Sequence, residues 1–108
     1  MTDAALLRNY VKFDKKYFAG RLQTACVAVA FAKLSTSGLW TCWDDGTFTV
    51  EVNEKLRTFP WACNLALLHE QIHMHCHLRG WHDHLEHGPS FRIEKARLAQ
   101  AGAFHPYI

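Results

Sequence analysis

The stretch Leu67-Leu68-His69-Glu70-Gln71-Ile72-His73 sets two imidazoles and a carboxylate in the H-E-x-x-H arrangement. Four residues along an α-helix advance the side chain about 40° beyond a full turn, so His69 and His73 point the same way and can reach one ion. Glu70 falls on the neighbouring flank, where it can take a proton from a water at that ion without binding the ion itself. This is the chemistry of metal-assisted hydrolysis. Eight histidines make a chance match conceivable. The setting argues against one, because the motif lies inside a long apolar-periodic segment and further ligand types follow it.

A catalytic zinc site normally has three protein ligands and one open position for water. After His69 and His73, the candidates for the third are Cys76, His77, His82, His84, Glu86, His87 and Glu94. His77 continues the helix register but lies a full turn, about 5–6 Å, beyond His73, too far to share the ion comfortably. The metzincin spacing requires a histidine where Arg79 stands, so that pattern fails. His87 is better placed, since the polar run from Trp81 to Glu86 lets the chain reverse and Gly88-Pro89 fixes a helix start just after it.

The elements that must hold these residues are legible from periodicity and punctuation. Pro60 can open a helix that runs to about Arg79, with Gly80 as its cap. Its apolar stripe is Trp61, Leu65, Leu68, Ile72 and Cys76, and Ala62, Ala66, His69 and His73 form an adjoining strip. Pro89 starts a last helix through about Ala101, stopped by Gly102. Upstream, Leu6, Leu7, Tyr10, Phe13, Tyr17 and Phe18 recur at helical spacing from an Asp3 N-cap to Ala19, and Gly20 ends the run.

Between Ala25 and Val52 the β-branched and aromatic texture predicts three short strands. Val27 to Phe31 is apolar enough for an inner strand, Asp45-Gly46 marks a hairpin, and Thr47 to Val52 alternates as a half-buried strand does. Asn53 caps a short helical turn through Arg57. The expected fold is therefore α+β: an N-terminal helix, a three-stranded sheet, the H-E-x-x-H helix and a C-terminal helix.

With 108 residues, 49% of them hydrophobic and 20% charged, residues 1–108 are expected to form one domain around one small core. The opening residues lack the order of a secretory signal, and no apolar run is long enough to span a membrane. Cys26, Cys42, Cys63 and Cys76 form no C-x-x-C pair, which excludes a zinc ribbon and a thioredoxin-type motif and suggests reduced thiols in the cytoplasm. A net charge of +2 is too small to argue for nucleic-acid binding, and the Arg8, Lys12, Lys15 and Lys16 stripe reads as a solvated helix face.

These residues resemble the SprT-like (Spartan-type) zinc metallopeptidase domain. Leu68-His69-Glu70-Gln71-Ile72-His73 followed by His87-Gly88-Pro89-Ser90-Phe91 is similar to that family's leucine-rich H-E-x-x-H helix and later H-G-P-x-F. Tyr17-Phe18-Ala19-Gly20-Arg21-Leu22 resembles its FF-x-G-R-L element, and Ser37-Gly38-Leu39 its small-Gly-apolar strand start, so the likeness runs roughly from Asn9 to Phe91. The resemblance implies a zincin-like domain with His69, His73 and His87 as Zn²⁺ ligands and Glu70 as the general base. It implies a protein or peptide substrate, with DNA-crosslinked proteins the targets of Spartan-type enzymes.

Two departures stand out. No cysteine zinc ribbon or basic tail follows the peptidase core, so DNA association should be weak. His75, His77, His82 and His84 crowd the site and are expected to be solvent-exposed. Two rival readings remain: a non-catalytic zinc- or DNA-binding module, and a metal-dependent ribonuclease. The latter is suggested by a faint likeness of His77 to His84 to the H-L-x-G-[YW]-D-H run of the YbeY-type family, at the wrong spacing. Tyr10, Tyr17 and Tyr107 are the tyrosine candidates for an oxyanion donor.

Overall fold

The computed structural model describes every residue except Thr24 and Pro106 to Ile108, and only the backbone of Cys26 and Val27. Tyr107 therefore lies outside the described residues. Helix α1 (Asp3–Tyr17) leads into a three-stranded sheet of β1 (Cys26–Ala32), β2 (Gly38–Cys42) and β3 (Phe48–Asn53). The 3-10 helix Glu54–Leu56, α2 (Pro60–Leu78), the 3-10 helix His82–Glu86 and α3 (Pro89–Gln100) follow. This is the expected α+β architecture, and no helix among the described residues is long and apolar enough to cross a membrane.

The sheet is mixed, in the order β1-β3-β2. β3 runs parallel to β1 and antiparallel to β2. The apolar stretch expected to be an inner strand is thus β1 at the edge, and the alternating strand β3 is central. β1 is apolar because α1 covers it rather than because strands flank it: Asp3 Oδ1 accepts from the Phe31 N–H at 3.2 Å, while Val29 and Phe31 are buried. Phe48, Val50 and Val52 point from β3 into the same core as α2's Leu67, Leu68 and Ile72.

Local chemistry accounts for the boundaries. Thr2, not Asp3, caps α1, its hydroxyl accepting from the Ala5 N–H at 3.1 Å. Beyond the strands Trp43 N–H donates to the Thr47 carbonyl at 2.8 Å and closes a three-residue turn, Asp44 to Gly46, in which Gly46 N–H donates to the Trp43 carbonyl at 2.9 Å and Gly46 takes the left-handed conformation (φ 84°). Asp14, fully buried, accepts from the Leu22 and Gln23 N–H groups, both at 3.0 Å. It thereby folds the chain around Gly20 so that Phe18 and Leu22 enter the core.

Within α2 one expected stripe residue is displaced outward. Trp61 is 54% exposed, because it lies in the first turn and lines an open cleft. Leu68, Ile72 and Cys76 are buried as their spacing requires.

Candidate metal centre

Two elements bring three imidazoles together. α2 presents His69 and His73 one turn apart, and the chain reverses through Trp81 and the 3-10 helix His82–Glu86 to deliver His87. His87 sits in the left-handed region (φ 54°), its N–H donating to the His84 carbonyl at 2.9 Å. The next residue shows why glycine stands there: a Cβ on Gly88 would lie 2.7 Å from the Asp83 carbonyl oxygen. Gly88 N–H donates to that carbonyl at 3.0 Å, and Asp83 Oδ2 accepts from the Ser90 N–H at 2.9 Å. Asp83 thus caps α3 from the preceding turn, a cap that Gly88 has no side chain to supply.

The three side chains meet through their Nε2 atoms, with His87 Nε2 3.1 Å from His69 Nε2 and 3.2 Å from His73 Nε2. A tetrahedral ion with bonds of 2.0–2.1 Å separates its ligand atoms by about 3.3–3.4 Å, so the spacing fits one ion with little adjustment. Burial, with the neighbouring His87 second, lowers the His69 pKa to about 4. Burial also lowers that of His73 to about 3. Both rings are therefore neutral near pH 7, and each can offer an Nε2 lone pair to a cation when its own proton is on Nδ1. The donor set fits a divalent transition ion.

Around the triad the support is aromatic. The Phe91 ring lies 4.9 Å from that of His69, 4.6 Å from His73 and 4.7 Å from His87, so it forms a common floor. Trp40 of β2 stacks on His73 at 6.1 Å. His73 Nδ1 lies 3.0 Å from His84 Nδ1, fixing the ring that presents Nε2 to the centre. Glu70 is buried in the same wall, and that burial raises its carboxyl to about 7.

The centre opens into a cleft of about 600 Å³ between Thr36–Trp40 on one side and Ala62, Ala66, His69, Glu70 and His73 on the other. Trp61, Leu39 and Leu85 line it with exposed apolar surface.

A family model for SprT-like proteins matches residues 6–106. The chain belongs to the SprT-like family. No curated protein matches it.

Of the ligand candidates weighed from the sequence, this SprT-like domain brings His87 to the Nε2 atoms of His69 and His73, leaves His84 at the far nitrogen of His73, and takes the others elsewhere. Cys76 is fully buried in the core, where burial pushes its thiol up to about 11. Glu94 faces His75 at 3.6 Å and Arg97, behind α2. Glu86 belongs to none of the described clusters that could hold a metal. His77, His82 and His84 form a separate group.

The expectation that the four surplus histidines are exposed holds only for His82: His77 is half-buried, and two are buried. His75 is 5% exposed and His84 wholly buried, because α3 and the Trp81–Glu86 turn fold back over that end of α2. Tyr10 and Tyr17 do not line the cleft, and Tyr10's hydroxyl donates to the Leu22 carbonyl at 3.1 Å. Phe91, Trp40 and His84 escaped the sequence reading as supports of the site. Phe91 had a signal there as the last residue of H-G-P-x-F, and His84 only as a candidate ligand.

Proposed function

We propose that this SprT-like domain is a zinc metallopeptidase in which His69, His73 and His87 hold the ion and Glu70 is the general base. The observation that carries the reading is the convergence of three Nε2 atoms beside a buried carboxyl, at the floor of an open cleft. A zinc ion bound there supplies Lewis acidity, acidifying a water toward pKa ~7 and polarising the scissile carbonyl.

The chain's own residues do the rest. Glu70, its basicity raised by burial, takes a proton from the attacking water as the new C–O bond forms. It returns that proton to the amide nitrogen as the C–N bond breaks, and the new carboxyl gives up its remaining proton to the amine, leaving a carboxylate and an ammonium. Phe91 and His84 keep the His73 ring from turning during this exchange.

Among the described residues β2 pairs only with β3, so its other edge can align a substrate backbone as an added strand along the cleft wall. Backbone pairing of this kind makes cleavage depend little on side-chain identity, while Leu39, Trp61 and Leu85 give apolar side chains a surface to cover. The substrates assigned by this reading are proteins, with DNA-associated proteins as the class to test first.

The test is cleavage of a histone, with and without single-stranded DNA, by the zinc-loaded chain. Cleavage should stop when a chelator strips the metal and return when zinc is restored. Cleavage that ignores the chelator contradicts a metal-dependent reaction.

A further inference from the structure

Beyond the centre just described, His77, His82 and His84 place one ring nitrogen each within 4.8 Å of one another. His77 lies in the last turn of α2, half-buried against Trp40 (ring centroids 5.3 Å apart) and Phe48 (5.6 Å). His82 is exposed on the 3-10 helix, and His84 is wholly buried two residues later. His84 spends Nδ1 on His73, and its Nε2 has no hydrogen-bond partner among the described residues. A buried ring nitrogen left unpaired is costly, so the fold carries it at a penalty that a bound ligand would remove.

We propose that His77, His82 and His84 form a second site for a divalent transition ion, with His84 Nε2 as its buried ligand. Three imidazoles without a carboxylate select Zn²⁺, Co²⁺, Ni²⁺ or Cu²⁺ over Mg²⁺ or Ca²⁺. Burial first, and then the neighbouring His82, lowers the His77 pKa, so that ring offers a lone pair at neutral pH. The nitrogens must close from as much as 4.8 Å to about 3.3–3.4 Å around an ion, and the exposed His82 side chain can swing to do so. That adjustment makes the second site the weaker of the two. His82's exposure leaves the fourth position to water.

The two sites are coupled through one proton, a point that, unlike the second site itself, rests on the His69/His73/His87 reading. When His73 binds an ion through Nε2, its remaining proton is on Nδ1, and His84 Nδ1 must accept it. The His84 proton is then on Nε2, the atom needed by the second ion. When His73 carries no ion, His84 can donate from Nδ1 instead and free Nε2. Filling the first site therefore weakens the second.

The experiment is a titration of the metal-stripped chain with Co²⁺, read by its visible absorption and by equilibrium dialysis. Wild type should bind one equivalent tightly and a second at least tenfold more weakly. His82→Ala, at an exposed position, should keep the first step and lose the second. His69→Ala/His87→Ala, checked for fold by circular dichroism, should still bind one equivalent, more tightly than the second equivalent of wild type, and should lose it when His82→Ala is added. A second step unchanged in both His82→Ala and His77→Ala, or no second step in wild type at any Co²⁺ concentration, overturns the site. Equal second-site affinity in wild type and the double variant overturns the coupling alone. None of these readouts depends on proteolysis, so they stand apart from the test of peptidase activity.

Discussion

Gly38 lies against Glu70: a Cβ at residue 38 would be 3.0 Å from Glu70 Cγ and 3.1 Å from Oε1. The start of β2 thus sets how far the carboxyl can approach the strand wall. A Gly38→Ala variant should fold, because the neighbour that must give way is a side chain, but the carboxyl should shift by a few tenths of an ångström. Activity should fall by about tenfold or more, since small misplacements of a catalytic group are costly. Zinc content measured beside kcat/KM checks this: unchanged metal with lowered activity is expected.

Gly88 is constrained more severely, because the atom its Cβ would strike is the Asp83 backbone carbonyl, at 2.7 Å. Gly88→Ala should cost about 1–3 kcal/mol and move His87. Thermal melting should fall by several degrees, and zinc should be lost to a competing chelator at lower chelator concentration than in wild type.

The metal-free chain should be sensitive to acid. His69 and His73 bind protons less readily folded (about 4 and 3) than unfolded (6.5), so protonation favours unfolding as the pH falls from 6.5 through those values. Glu70 works the other way, its raised pKa of about 7 adding stability as the pH falls from 7 toward 4.5. Two depressed histidines outweigh one raised carboxyl, so chemical denaturation of the stripped chain should show stability declining below about pH 6. Zinc should oppose that decline until the histidines protonate and release it.

DNA binding by this chain should be weak. The net charge is +2, and Arg8, Lys12, Lys15 and Lys16 form an exposed face of α1 that contributes nothing to the cleft lining. Fluorescence anisotropy with single-stranded DNA should show binding lost at modest salt. Tight, salt-resistant binding would instead point to Trp40 and Trp43 as a stacking surface.

Local signals were readable in the sequence where they were strong. Pro60 opens α2, Pro89 opens α3, Asp45-Gly46 turns the hairpin, and β3 alternates as its half-burial demands. What escaped depends on which elements cover which. β1 has the composition of an inner strand yet lies at the edge, because α1 supplies the cover a flanking strand would have given. His75 and His84 are polar by type and buried by the fold-back of the 81–86 turn and α3, which no periodicity announces. Trp61 fits α2's apolar spacing, yet in the helix's first turn it lines the open cleft instead of the core. At the candidate site the motif spacing suggested which side chains could meet, whereas the Phe91 floor and the His73 to His84 contact follow from tertiary packing alone.

The central claim is tested most directly by assaying wild type and Glu70→Gln side by side, with zinc content and melting temperature measured on both. Glu70 lies outside the three-histidine cluster, so the variant should keep one zinc and its fold while proteolysis drops 10²–10⁴-fold, the usual cost of losing a general base. Equal behaviour of the two proteins on every protein substrate, with zinc present in both, would contradict the account and leave a metal-binding module without peptidase chemistry.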